Sequence, residues 1–383
     1  METTKTKKRG LAAIFALCPA AHVLALLSGC VIGLHLLLRQ NRALMRRLCA
    51  GYIHPFHQRL AVLTGKVPFS LAELVYALLA VGLLVYIIFE IAQLIKQKGR
   101  LRRLYRMLMR LVALTLAIYA GFCVLWGVYY YGEDFAAASG LKTRPISAEE
   151  LETVTVYFAD RLNKLSDQVQ RDENGLYCAD RREILDRSPA LYRAVVARYP
   201  CLAGPEVRAK GMVFSKIMSL IDFTGVFFPF TAEANVNTDF PVGLFPATVA
   251  HELSHQRGVA KEQEANFVAV LASLASGDVD YSYSACMLAY IHLGNALYGV
   301  NPGAYRLIAD GLDENVRRDL LAGDEYWARY ETPVQTVTTT VYEGFLQSYD
   351  QTLGMRSYGA CVDLLACYYY DEALAWFGLT PEP

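Results

Sequence analysis

Three long apolar runs occupy the first third of the chain. Leu11 to Leu38 carries no formal charge. Leu71 to Ile95 carries only Glu73 and Glu90, near its ends, and Leu111 to Tyr131 is again uncharged. A helix crossing the hydrocarbon layer needs about 20 such residues, so the pattern predicts three transmembrane helices, over about 11–38, 71–95 and 111–131. The first run is too long for a signal-peptide core and lacks a small-residue cleavage site, so it reads as a retained anchor. His22, His35 and Glu90 fall in or near membrane depth, where ionisable groups are functional candidates by default. His35 and Glu90 are close enough to span ends to reach water along the side chain, and no role is assigned to any of the three.

From about Gly140 the pattern changes. Ser147-x-x-Glu150 is a capping-box start. Leu151, Val154, Phe158, Leu162, Leu165 and Val169 then recur at three and four residues, the repeat of one face of an amphipathic helix. Most of the remainder also reads as helix. Gly225 to Asn237 is the exception: aromatic and β-branched residues interrupted by Pro229 suit a short or edge strand. The expected architecture is mainly α, with a membrane anchor over 1–139 and a mostly helical domain with a small β element over 140–383.

Within that domain stands Pro246-Ala-Thr-Val-Ala-His251-Glu252-Leu-Ser-His255-Gln-Arg-Gly258. Proline suits a first helical turn and glycine the position just past a helix end. Residues four apart share a helix face, so His251 and His255 can share one zinc ion. Glu252, beside that face, can take a proton from a water on the metal. This is the chemistry of H-E-x-x-H, because zinc brings the pKa of its water towards about 7. Three protein ligands leave a catalytic zinc site open. The next helix offers Glu262 and Glu264 as the third. Glu262 and Asn266, four apart, share a face, whereas Glu264 points about 160° away from Asn266 at 3.6 residues per turn.

Glu262-x-x-Ala265-Asn266 resembles the E-x-x-A-[DN] signature of the gluzincin metallopeptidases. The resemblance implies a zincin-like domain with Glu262 as third zinc ligand and Asn266 holding the first histidine. Six residues separate His255 from Glu262, fewer than in many gluzincins, so the turn at Gly258 must be tight. The metzincin pattern fails because Lys261 stands where its third histidine belongs. The resemblance further implies that Phe227, Phe228, Phe230 and Asn235, ahead of the zinc helix, form an edge strand that pairs with extended substrate. Glu233, Asn235 and Asn237 would line the cleft or cap a turn. A donor for the oxyanion is expected from Tyr290, His292, Tyr298 or Tyr358. Tyr358, in a Gly-x-x-Ser-Tyr-Gly turn, is the first choice. The three spans, Trp126-Gly-Val-Tyr-Tyr130, the 228–237 stretch, the H-E-x-x-H block and Ser357-Tyr358-Gly359 together resemble a bacterial membrane-protein family of unknown function.

Composition changes the picture in a few places. The net charge of zero offers nothing for nucleic acid. The nine cysteines show no C-x-x-C spacing, and Cys178 with Cys201 would be a candidate disulfide in an oxidising compartment. Lys5, Lys7, Lys8 and Arg9, and the cluster from Lys96 to Arg106, favour an inside N-terminus and an extracytoplasmic domain. The basic residues from Arg39 to Lys66 argue the other way. The expected protein is therefore a multi-pass bacterial membrane zinc endopeptidase acting on peptides or envelope proteins, with Glu252 as general base. The alternative is a zinc-bound receptor that signals across the bilayer and has no use for Glu252.

Overall fold

Proline can only open a helix, and Pro19 opens the first long one, α1 (Pro19–Leu38). Two more follow, α2 (Leu71–Lys96) and α3 (Arg100–Phe122). In this computed structural model, which describes residues 12–349 and 358–379, all three are long and apolar enough to cross a membrane, the last continuing through Gly127. The third helix starts at Arg100, well before the expected 111. Its first turns are basic, and Arg103 and Arg110 donate to the Glu90 carboxylate at 2.7 and 3.3 Å. Glu90 is thus buried and paired within the α2–α3 hairpin. His22 bonds Tyr105 at 2.8 Å, beside a small cluster of Cys18, Ala21 and Ala113.

The chain forms two compact units. One holds residues up to 53 together with 72–132. The other holds 54–71 together with the residues from 133 onward. The second unit thus begins seven residues earlier than the expected 139/140 boundary and recruits the connection between the first two spans.

In the second unit α4 (Ala148–Ser166) starts at the expected capping box: Glu150 N–H donates to Ser147 Oγ at 3.2 Å and Ser147 N–H to Glu150 Oε2 at 2.7 Å. Its apolar face, Val154, Phe158 and Leu162, is fully buried, each side chain contributing about 1.5–3 kcal/mol. The sheet has three short strands, β1 (Lys210–Gly211), β2 (Gly225–Phe228) and β3 (Glu233–Val236), in the order β1-β3-β2. The aromatic stretch around Pro229 is therefore a hairpin, with β2 antiparallel to the central β3 and β1 parallel to it. After the sheet come α5 (Phe245–Gln256), α6 (Glu262–Ser276), α7 (Val279–Val300), α8 (Pro333–Ser348) and α9 (Tyr358–Trp376). One core runs through α4, α5, α6, α7 and α9. Cys178 and Cys201 are free thiols.

Long-range polar bonds hold the 54–71 segment to the sheet. Lys210 Nζ donates to Thr64 O at 3.0 Å and pairs with Glu233, both side chains being almost wholly buried. Glu233 also accepts from Leu71 N–H at 3.3 Å and Thr231 Oγ1 at 2.9 Å, and Ser70 Oγ donates to Asn235 Oδ1 at 2.7 Å. Removing one partner of a buried ion pair strands the other charge and costs about 3–5 kcal/mol. Lys210→Ala is therefore expected to lower the thermal midpoint of the purified protein sharply. Lys210→Met combined with Glu233→Gln is expected to recover most of that loss.

Candidate metal centre

The site is built on two helices and the turn between them. Pro246 lies in the first turn of α5, where Ala247 N–H donates to Ser284 Oγ at 2.9 Å. Val249, Ala250 and Leu253 are fully buried and fix the helix against the core. His251 and His255 leave the opposite face with ring centroids 4.7 Å apart. The helix ends at Gln256, and Gly258 takes φ +89°, the left-handed conformation that glycine adopts without a Cβ penalty. Val259 N–H closes the turn on Ser254 O at 3.1 Å. The same turn brings Val259 O to 2.6 Å from His255 Nδ1. The tight turn expected at Gly258 thus also orients the His255 ring.

On α6, Asn266 Oδ1 lies 2.8 Å from His251 Nδ1. Both Nδ1 atoms face oxygens that can only accept, so both carry a proton, and the Nε2 atoms are left to take up either a further proton or a metal ion. Those Nε2 atoms converge on Glu262 Oε2, at 3.1 Å from His251 and 3.6 Å from His255. Two imidazole nitrogens and a carboxylate oxygen lie within 4.8 Å of one another. Such crowding needs positive charge between the donors, from a proton or from a cation. Two imidazoles and one carboxylate, with the outer ring nitrogens tied to protein acceptors, form a donor set that suits a divalent metal. Glu262 Oε1 accepts from Tyr342 on α8 at 3.1 Å, which leaves Oε2 for the histidines.

Glu264 has a different task. It is buried, and its two oxygens accept from Phe135 N–H at 2.9 Å and Ala136 N–H at 3.0 Å, the start of the short helix Phe135–Ser139. Lys261 pairs with Asp134 at 2.6 Å alongside. The rival ligand is thus a clamp on a segment 128 positions earlier.

Glu252 is 4% exposed. A Cβ on Gly225 would stand 2.4 Å from its Oε1 and 2.6 Å from its Cγ, so only glycine at 225 admits the side chain there. Among the described residues Glu252 Oε2 has no hydrogen-bond partner, an orphaned buried acceptor of the kind that marks a functional site. Burial raises the Glu252 carboxyl first, and Glu262 adds to it; the two histidines pull the other way, leaving it at about 7. Burial disfavours a charged His255, but Glu262 outweighs it and lifts the imidazole to about 9. Burial likewise opposes a charged Glu262, yet His255 and His251 hold its carboxyl well below the usual range.

β2 is an edge strand, as expected. Asn237 N–H donates to Thr224 O at 2.9 Å. Antiparallel bonding alternates, so the backbone groups of Gly225 and Phe227 point away from β3, and the Phe227 backbone supports the Glu252 carboxylate. The side chains are structural: Phe227 packs edge-on to His57 at 5.7 Å, and Phe228 lies tilted against half-buried Phe230 at 5.3 Å. Asn235 departs from the expected role. It sits on the central strand, fully buried, bonded to Ser70, Val226 O and Glu233 O. Glu233 pairs with Lys210. Asn237 bonds Ser219, Phe223 O and Asp239 N–H, so it caps a turn.

Of the expected oxyanion donors, His292 is buried close enough to His251 for their charges to interact, and burial holds it at about 4. Tyr290 is buried and Tyr298 is half exposed. Tyr358 opens α9, but its side chain and the preceding turn lie outside the described residues. The sequence reading missed Gly225 and Tyr342. A glycine opening an aromatic strand was a usable sign of close approach. Nothing local distinguishes Tyr342 among 25 tyrosines.

A profile of the family described as "Protein of unknown function (DUF3810)" matches residues 51–366, most of the 383-residue chain, and the chain belongs to that family. No curated protein and no solved structure matches.

Two outcomes follow from this geometry. Glu262→Gln is expected to lower bound metal, measured by elemental analysis, far more than Glu264→Gln, which is expected to lower the melting temperature instead; the reverse pattern would exchange the two roles. A metal ion at this site must displace the proton that Glu262 favours on His255, while Glu262 itself has none to lose. Affinity for zinc added after chelation is therefore expected to rise with pH between about pH 6 and about pH 8. Calorimetry in buffers of different ionisation enthalpy is expected to register net proton release.

Proposed function

We propose that this protein is a membrane-anchored zinc-dependent endopeptidase. The observation that carries the reading is the convergence of His251 Nε2, His255 Nε2 and Glu262 Oε2, with both Nδ1 atoms engaged elsewhere. These three side chains would hold the ion, with Asn266, Val259 O and Tyr342 keeping them in place. When bound, zinc supplies Lewis acidity, polarising a carbonyl and making a water acidic near neutral pH.

Glu252 is the proton carrier. Its Oε2 takes a proton as water adds to the scissile carbonyl carbon, then returns it to the amine nitrogen as the C–N bond breaks; the second water proton passes from the new carboxylic acid to the amine, leaving a carboxylate and an ammonium group. The outward backbone edge of β2 at Gly225 and Phe227 suits an extended peptide laid alongside. Peptides or envelope proteins are the proposed substrates. The basic flanks of the spans support an extracytoplasmic domain in a bacterial membrane.

A receptor reading draws on one observation, the Glu264 clamp. It joins the residues that follow the last span to the helix carrying Glu262, a path by which metal or ligand binding would reach the membrane. Glu252, buried with an unused oxygen, favours catalysis.

The test is zinc content and cleavage of a peptide library by the purified protein beside Glu252→Gln and Gly225→Ala. About one equivalent of zinc is expected in all three. Cleavage is expected to fall about 10²–10⁴-fold in Glu252→Gln and substantially in Gly225→Ala, where the new methyl displaces the carboxylate. Zinc in each without cleavage by the parent would favour the receptor; absence of zinc from the parent would overturn both readings.

A further inference from the structure

Helix α8 crosses the approach to the metal centre. Its Tyr342 hydroxyl donates to Glu262 Oε1 at 3.1 Å, and the same ring packs edge-on against Phe223 at 5.1 Å. One turn earlier, Thr339 Oγ1 donates to Asp222 Oδ2 at 3.4 Å. Asp222 and Phe223 lead directly into β2, whose open edge begins at Gly225 beside Glu252. α8 therefore touches both walls of the cleft. One is the strand that would hold an extended peptide, and the other is the helix that carries Glu262. A peptide laid along β2 and running past Gly225 meets the Phe223–Tyr342 pair.

The sequence makes α8 a poor helix. Thr336-Val-Thr-Thr-Thr-Val341 is a run of six β-branched residues. Such side chains lose rotamer freedom against the preceding turn and favour strands. The hydroxyls of Thr336 and Thr340 donate to Thr332 O at 3.3 Å and Thr336 O at 2.8 Å, four residues back. Bonds of this kind slightly weaken and bend a helix. Gly344 then falls in the interior, where only proline is less favourable. Val337 and Val341 are exposed, so their burial adds little to this half. The other end is packed: Leu346 is buried, as is Tyr349 just past the helix. The half with the weaker intrinsic preference for helix is thus the half that reaches Asp222, Phe223 and Glu262. Elements that open over a site are drawn from such low-stability segments.

We propose that α8 is a lid on the cleft, closed in this structure, with Tyr342 as its latch on Glu262. Opening frays residues 336–342 while Leu346 and Tyr349 stay packed, and it clears the Gly225 end of β2 for a peptide. The proposal rests on the peptidase reading and adds regulation to it. Peptide binds only the fraction of molecules whose lid is open, and apparent affinity falls by that fraction.

The test strengthens the helix without touching the site. Val337→Ala, Thr340→Ala and Val341→Ala together replace three exposed β-branched residues by the best helix former, and are expected to lower the open fraction about tenfold. In the full zinc-loaded chain, amide hydrogen exchange over 336–342 is expected to run far faster than over 268–271 of α6, and to slow about tenfold in the triple variant. Association of a tripeptide hydroxamate, which ligates the metal and lies as a peptide does, is expected to slow by the same factor at unchanged zinc content. Tyr342→Phe removes the latch alone and is expected to speed exchange over 336–342 about fivefold. Exchange in the parent as slow over 336–342 as over 268–271 would overturn the lid. So would slower exchange in the triple variant with hydroxamate association unchanged. Absence of zinc or of hydroxamate binding from the parent would strike the metal-site reading and leave exchange to decide the lid. Absence of cleavage by the parent, with exchange and association as expected, would strike the peptidase reading alone.

Discussion

Two imidazole nitrogens and a carboxylate oxygen, all rich in electrons, crowd into a space 4.8 Å across. Left to themselves they would repel, and much of the surrounding structure keeps them together. The helix spacing of four puts both rings on one face. The left-handed turn at Gly258 swings Val259 O under one ring, and Asn266 reaches back to the other. Each bond keeps a proton on Nδ1, and each ring turns its Nε2 towards the same point. A cation satisfies all three donors at once, which a single proton cannot do.

The second glutamate of α6 illustrates how little local chemistry says about role. Glu262 and Glu264 are the same residue two positions apart. One turns towards the histidines. The other points to the far side and meets two backbone N–H groups that begin the helix Phe135–Ser139. A carboxylate at a helix N-terminus is favoured by unsatisfied N–H groups and by the helix dipole, so Glu264 gains as much from its position as Glu262 does from its own. Both orientations follow from a rotation of about 200° between them along the helix.

Buried polar bonds also decide how the domain is assembled. Lys210, Glu233, Ser70 and Asn235 make a satisfied network under the sheet and tie the connection between the first two spans into the second unit. A network of this kind is stabilising only when every member is paired. That explains why Asn235, facing inward on the central strand, belongs to the scaffold, while the neighbouring β2 edge is left to face Glu252.

Much of this protein was readable along the chain because it depends on short-range periodicity. The three apolar runs, the capping box at Ser147, the amphipathic face of α4, the H-E-x-x-H helix with its proline start and glycine stop, and the pairing of Glu262 with Asn266 all arise from spacings of three or four residues or from runs of one character. Helix spacing likewise put Glu262, and not Glu264, on the face of Asn266. Other features required the fold. Gly225 beside Glu252, Tyr342 on Glu262, Glu264 on Phe135 and Lys210 on Thr64 each join residues tens to more than a hundred positions apart. No local pattern records such pairings. The backbone path, closed by packing and by the need to satisfy buried polar groups, is what brings them together.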